Sequence, residues 1–191
     1  MGAACQKGGA HFVKTLIAGY RPYELGIYKN NDPKKEVLMD FLKHKIREYL
    51  ETGTEWFIIQ GYTGIELYAA KCILELKEEY DAALAVLKPF HDFDERYKDE
   101  EKILLNEILA ECDFHRFIFE KTYTNPGMFR QINQFLIENT DQAIIVYDEA
   151  TPSKTRFLYN EILEFQTNNT YNIERIQFDE INTFIDSRYD G

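Results

Sequence analysis

Hydrophobic residues alternate along this chain between two patterns. Short runs, most of them apolar through their centres, occur at 12–18 (FVKTLIA), 55–60 (EWFIIQ), 82–88 (AALAVLK), 114–119, 142–147 (QAIIVY) and 171–178, and they predict six strands. Between them, apolar residues return at every third or fourth position, as Val37, Phe41, Leu42, Ile46, Tyr49 and Leu50 do. That period predicts helices over about 33–52, 65–79, 100–111, 129–139, 153–166 and 179–185. The first helix has clear ends, with Asp32 as N-cap, Pro33 at the first helical position and Gly53 as the stop. Strands without polar alternation need cover on both faces, so they pair in parallel with helices above and below. Right-handed crossovers then predict an α/β fold, a Rossmann-like, doubly wound, mostly parallel sheet of five to six strands with helices on both faces.

Residues 1–12, which begin MGAACQKGGAH, show no such period and read as a disordered leader or an expression remnant. No linker interrupts the rest, so 13–191 reads as one domain, a usual size for one core. No apolar run approaches the roughly 18 residues of a membrane span, and no secretory signal is visible, which makes the cytoplasm the default location.

Charge narrows the function classes. The net charge is −11, and residues 91–191 supply all of it with 10 basic and 21 acidic side chains. Such a surface repels nucleic acid over most of its area, which argues against a nucleic-acid partner. The neutral first 90 residues are the cheaper place for an anionic small molecule. Cys5, Cys72 and Cys112 have neither disulfide nor zinc spacing, and Cys72 and Cys112 read as buried small side chains. The four His show no ligand spacing, and Asp92, Asp94, Glu95, Asp99, Glu100 and Glu101 read as a solvated acidic surface, so no metal is expected.

In an open parallel sheet, ligands sit beyond the carboxyl ends of the strands. Five loops meet that rim: 19–26, 61–64, 89–97, 120–129 and 148–153. The second places Gly61-Tyr62-Thr63-Gly64 between a strand and a helix start. Glycine lets backbone approach closely, and the first helical turn carries unpaired amides with a positive partial charge, so this bend is expected to cradle an anion. Thr63 and Glu66 also fit a capping box, a structural role that leaves ligand binding open. In the first loop, Arg21 suits a phosphate, Glu24 suits ribose hydroxyls, and Tyr20 and Tyr23 suit a base or simple packing. Arg130 and Asn133 share a face at a helix start beside Gln134, and suit either anion and amide binding or plain solvation.

Several segments in one order, GYRPYELGIYKNND, EWFIIQGYTGIELYAA, KPF and FRQINQFLIENTDQAIIVYDE, resemble the YpsA family of Firmicute proteins, a branch of the SLOG superfamily. The resemblance covers about Val13 to Phe184. It implies a Rossmann-like fold related to the LOG cytokinin-activating phosphoribohydrolases and to the DNA-processing protein DprA. It also implies a pocket for a nucleotide or an NAD- or ADP-ribose-like molecule, and a link to cell division and stress, with no established reaction. Gly64 and Glu66 occupy the family's Gly-x-Glu positions, and Gly19, Tyr20, Glu24 and Gly61 match theirs. Tyr62, Tyr68, Lys88 and Arg130 depart from the family's usual Gln, Trp, Thr and Lys. The LOG hallmark PGGxGTxxE is absent.

The expected binding residues are therefore Gly19, Tyr20, Arg21, Glu24, Gly61, Tyr62, Thr63, Gly64, Glu66, Pro89, Phe90, Arg130, Asn133 and Asp148. They predict a binding or sensing protein for a nucleotide-like ligand. The alternative is an N-glycosidic hydrolase with Glu66, then Glu24, as its carboxylate. A third reading is a protein-interaction adaptor of the division machinery with a vestigial pocket. A homodimer fits the superfamily.

Overall fold

The computed structural model describes residues 11–189. Strand β1 (Lys14–Gly19) leads through a single 3-10 turn at Pro22–Leu25 into α1 (Pro33–Glu51). Then follow β2 (Trp56–Ile59), α2 (Ile65–Leu76), β3 (Ala83–Lys88), α3 (Asp99–Glu111), β4 (Phe114–Phe117) and α4 (Gly127–Glu138). The chain ends with β5 (Gln142–Val146), α5 (Thr155–Gln166), β6 (Asn172–Ile176) and α6 (Phe178–Tyr189). All six strands are parallel, in the order β4-β3-β2-β1-β5-β6.

This order follows from the crossover rule. Three right-handed crossovers step outward from β1 to β4 and keep α1, α2 and α3 on one face. The chain then returns past β1 to β5, which puts α4 and α5 on the other. The packing agrees: α2 lies between α1 and α3, α4 packs on α5, and α6 returns to α1. Helix α2 is the buried centre of its layer, with Ile65, Ala69, Ile73 and Leu76 fully covered. Helix α1 starts as its sequence predicts, since the Asp32 carboxylate accepts the Lys34 amide at 3.0 Å.

Two strand expectations change. Strands β4 and β6 lie at the sheet edges, and Phe114, His115 and Arg116 of β4 are exposed, not covered on both faces. Charged residues on a short edge strand hinder pairing with another chain. Cys72 is buried as expected, whereas Cys112, at the end of α3, is only half-buried.

The strand order reverses between β1 and β5, and an open α/β sheet usually keeps its ligand crevice there. Here Tyr20 fills it. The ring is fully buried and stacks on Phe178 at 5.1 Å. Its hydroxyl accepts the Asp148 amide at 2.8 Å and has the carbonyls of Asp148 and Thr151 as acceptors, each at 2.9 Å. Asp148 completes the plug: Oδ1 accepts the Ala150 amide at 2.9 Å and Oδ2 the Phe178 amide at 3.4 Å. Tyr20→Phe would leave these part-buried groups without their partner. It is expected to cost about 1–3 kcal/mol in urea denaturation; an unchanged midpoint would show that the hydroxyl does not close the crevice.

Candidate functional site

The carboxyl rim left open by Tyr20 lies over β1, β2 and β3. Its geometry starts with a backbone crossing. Gly64 has φ 85° and ψ −130° and stands directly before α2. A Cβ there would lie 2.2 Å from the Tyr20 carbonyl oxygen and 2.9 Å from the Arg21 Cα. The Ile65 amide donates to that carbonyl at 3.1 Å, so the first loop is bonded across the start of α2. Gly19 extends the contact from the other side, since a Cβ on it would come within 2.7 Å of the Ile65 side chain. Only glycine lets β1 and α2 meet in this way.

The expected anion cradle is already filled. Amides of Gln60, Gly61 and Tyr62 point inward as the bend requires, and all three donate to Glu66 Oε2, at 2.8, 3.0 and 3.2 Å. The negative charge held by the bend is the chain's own, which overturns the expectation of bare amides awaiting a guest. The capping box is also corrected. Gly64 is the N-cap, Thr63 makes no capping bond, and Glu66 reaches back past both of them. A carboxylate in the first turn of a helix pairs well with the positive end of the helix dipole, and this one folds over to tie down the strand exit as well.

Glu66 is nevertheless an uneasy group. It is 2% exposed, and burial pushes its carboxyl up to about 7, against the opposing pull of Arg21 and the three amides. Its Oε1 has no hydrogen-bond partner among the described residues, while no fully buried side-chain polar atom lacks one; Oε1 therefore keeps a solvent opening. Around it lies an aromatic wall. The Arg21 guanidinium sits 3.7 Å over the Tyr62 ring, and its N–H edge has no carboxylate within ion-pair distance among the described residues. Tyr62 meets Phe93 edge-on at 6.2 Å, Phe93 meets Tyr97 at 5.8 Å, and the Tyr97 hydroxyl donates to the Gly61 carbonyl at 3.0 Å. Burial raises both tyrosines, Tyr62 to about 12, so both stay neutral hydrogen-bonding groups.

The structure thus brings Arg21, Gly61, Tyr62 and Glu66 together and seats Gly19, Thr63 and Gly64 in the backbone beneath them. Glu24 is close but committed, since its Oε2 accepts the Arg21 amide at 2.7 Å. Pro89 and Phe90 are buried, and Phe90 packs with Tyr123 and Phe129 at 5.4 and 5.8 Å. Tyr20 and Asp148 close the β1/β5 crevice. Arg130 and Asn133 are not brought to the cluster; they lie near Glu161 of α5, whose carboxyl is raised by burial against the opposing pull of both. Phe93 and Tyr97 were missed. Their four-residue spacing inside HDFDERYK was the available signal, hidden by the acidic residues around it. Among the described residues, no group of three His, Cys, Asp or Glu converges as metal ligands.

Residues 15–181 match the model of the YpsA family, described as the YspA SLOG family. The chain belongs to the YpsA family. Its relatives include the UPF0398 protein of Macrococcus caseolyticus, 34% identical over 169 residues, which are 88% of this chain and 92% of the relative. The UPF0398 protein of Staphylococcus aureus strain JH9 is 35% identical over 175 residues, 91% and 94% of the two chains. In this YpsA-family chain, the Gly-x-Glu pair therefore has a physical meaning: Gly64 admits the crossing backbone, and Glu66 satisfies the bend.

Two outcomes follow. Gly64→Ala must move backbone and hold a strained φ, so it is expected to lose about 3 kcal/mol or more, or to fail to accumulate as folded protein; a urea midpoint like that of the parent chain would contradict the crossing. Glu66→Gln is expected to change the pH dependence of stability. Glu66 binds its proton more tightly folded than unfolded, so its ionisation opposes folding. The group's contribution is fullest below its ordinary value of 4.5 and falls as pH rises to about 7. Between pH 5 and 8 the parent chain should therefore lose about 2–3 kcal/mol relative to Glu66→Gln in paired urea titrations. Parallel curves would show that Glu66 is not perturbed.

Proposed function

We propose that this chain binds a nucleotide-derived small molecule, of the NAD or ADP-ribose kind, at the carboxyl rim of β1–β3. The observation that carries this reading is the half-used Glu66 carboxylate. One oxygen is tied to three amides, and the other is left to accept a donor. A buried carboxylate with a free oxygen accepts ribose hydroxyls well, because the competing water is largely excluded. Arg21 offers a planar N–H edge to a phosphate, and the Tyr62, Phe93 and Tyr97 rings offer apolar surface to a base. The filled bend moves the anion from the loop amides, where the sequence suggested it, to the Arg21 side chain.

The N-glycosidic hydrolase remains the second reading, favoured by one observation. A carboxyl lifted to about 7 exchanges its proton near neutral pH, which suits a general base directing water to an anomeric carbon. Glu24 is a poorer choice, since the Arg21 amide already uses one of its oxygens.

Isothermal titration and thermal shift with ADP-ribose, NAD and AMP test the binding. At 100 times its dissociation constant, a ligand is expected to add about 2.7 kcal/mol of stability. Arg21→Ala and Glu66→Gln, each confirmed folded by circular dichroism, are expected to bind about tenfold or more weakly. No heat and no shift with any of the three would retire the reading. Release of free base from a bound nucleotide, detected by chromatography, would favour the hydrolase.

A further inference from the structure

A cleft of about 320 Å³ opens on the outer side of the same crossing. It runs between the loop before α1 and the first half of α3, over the first turns of α2. Its lining carries charges of both signs. Lys35 of α1 and Lys71 of α2 line it together with Glu100 and Glu107 of α3, over Leu67 and Tyr68 of α2, and Lys29, Lys98 and Glu101 line it as well. Such groups would ordinarily close on each other as ion pairs. Here neither Lys35 nor Lys71 lies within ion-pair distance of a carboxylate among the described residues. Lys35 donates to the Asn30 side chain and lies 5.4 Å from the Tyr68 ring centre. Burial and the neighbouring Lys71 both lower its affinity for its proton, against a weaker pull from Glu100. Two like charges thus share the lining without an ion pair to either.

We propose that this cleft is a binding site for a phosphorylated sugar, with the phosphate on Lys35 and Lys71 and the sugar hydroxyls on Glu100 and Glu107. The chemistry matches the lining. A phosphate accepts hydrogen bonds and favours paired cations, whereas hydroxyls donate to carboxylates. The C–H face of a sugar ring rests on Tyr68 and Leu67, which are almost fully buried beneath it. Small-molecule pockets run from roughly 300 to 1,000 Å³, and a cleft of about 320 Å³ accommodates a sugar phosphate. The site goes beyond the rim reading: Pro22, Thr63 and Gly64 lie at its edge, and neither Arg21 nor Glu66 lines it.

Titration of the full chain with ribose 5-phosphate, inorganic phosphate and ribose, read by calorimetry, tests the proposal. Ribose 5-phosphate is expected to bind more tightly than phosphate, and ribose not to bind. The double variant Lys35→Glu/Lys71→Glu is expected to weaken ribose 5-phosphate about tenfold or more. Glu100→Gln/Glu107→Gln is expected to bring its affinity down towards that of phosphate. Lys154→Glu, an exposed change outside the cleft, is expected to leave it unaltered. Absence of ribose 5-phosphate binding, equal binding of inorganic phosphate, or equal weakening by Lys154→Glu would each overturn the proposal. So would unchanged binding in the lysine double variant.

Discussion

One carboxylate organises the rim of this protein. Three backbone amides turn inward where β2 ends, and no other acceptor is at hand in a buried bend. An unpaired buried amide costs about 1–3 kcal/mol, so three unpaired amides would cost a sizeable part of the stability of a domain of this size. Glu66 meets all three with one oxygen. The chain can place it there because Gly64 lets the first loop cross tightly over the helix start, with Tyr20 lending its carbonyl to Ile65. Burying the carboxylate in turn leaves it short of solvent and close to neutral pH in its titration. Bend, crossing and perturbed acid are one arrangement, and changing any part alters the others.

The same loop explains where the rim is open. Tyr20 follows β1 directly, its carbonyl bonded across α2 and its ring turned into the β1/β5 crevice. The usual ligand crevice of a doubly wound sheet is thereby sealed with protein. The next residue, Arg21, emerges on the other side against Tyr62. Consecutive residues so divide the edge into a closed half and an open half.

Much of the fold was legible in the sequence because long-range order here follows local pattern. Apolar runs and helical periods placed all six strands and six helices, and the Asp32–Pro33 start of α1 is bonded as its chemistry implies. What local pattern cannot express is what a side chain does after the chain folds back. Glu66 read equally well as a cap or as a ligand group, and it does something else, since its partners lie four to six residues earlier across a bend. Arg130 and Asn133 sit at a helix start that points to the rim in sequence order, yet α5 packs beside them and supplies Glu161. Phe93 and Tyr97 looked like loop residues until the turn after β3 laid them on Gly61. Which strands lie at the edges depends on strand order, which the return crossover past β1 decides, and β4 and β6 carry His115-Arg116 and Glu174-Arg175 there.

The most direct measurement is an NMR pH titration of the Glu66 side-chain carboxyl carbon, followed in the same samples by the amide protons of Gln60, Gly61 and Tyr62. The account requires one shared midpoint near 7 for all four nuclei, since a single carboxylate oxygen holds the three amides. A carboxyl midpoint at the ordinary value of 4.5, or amides indifferent to its ionisation, would contradict it.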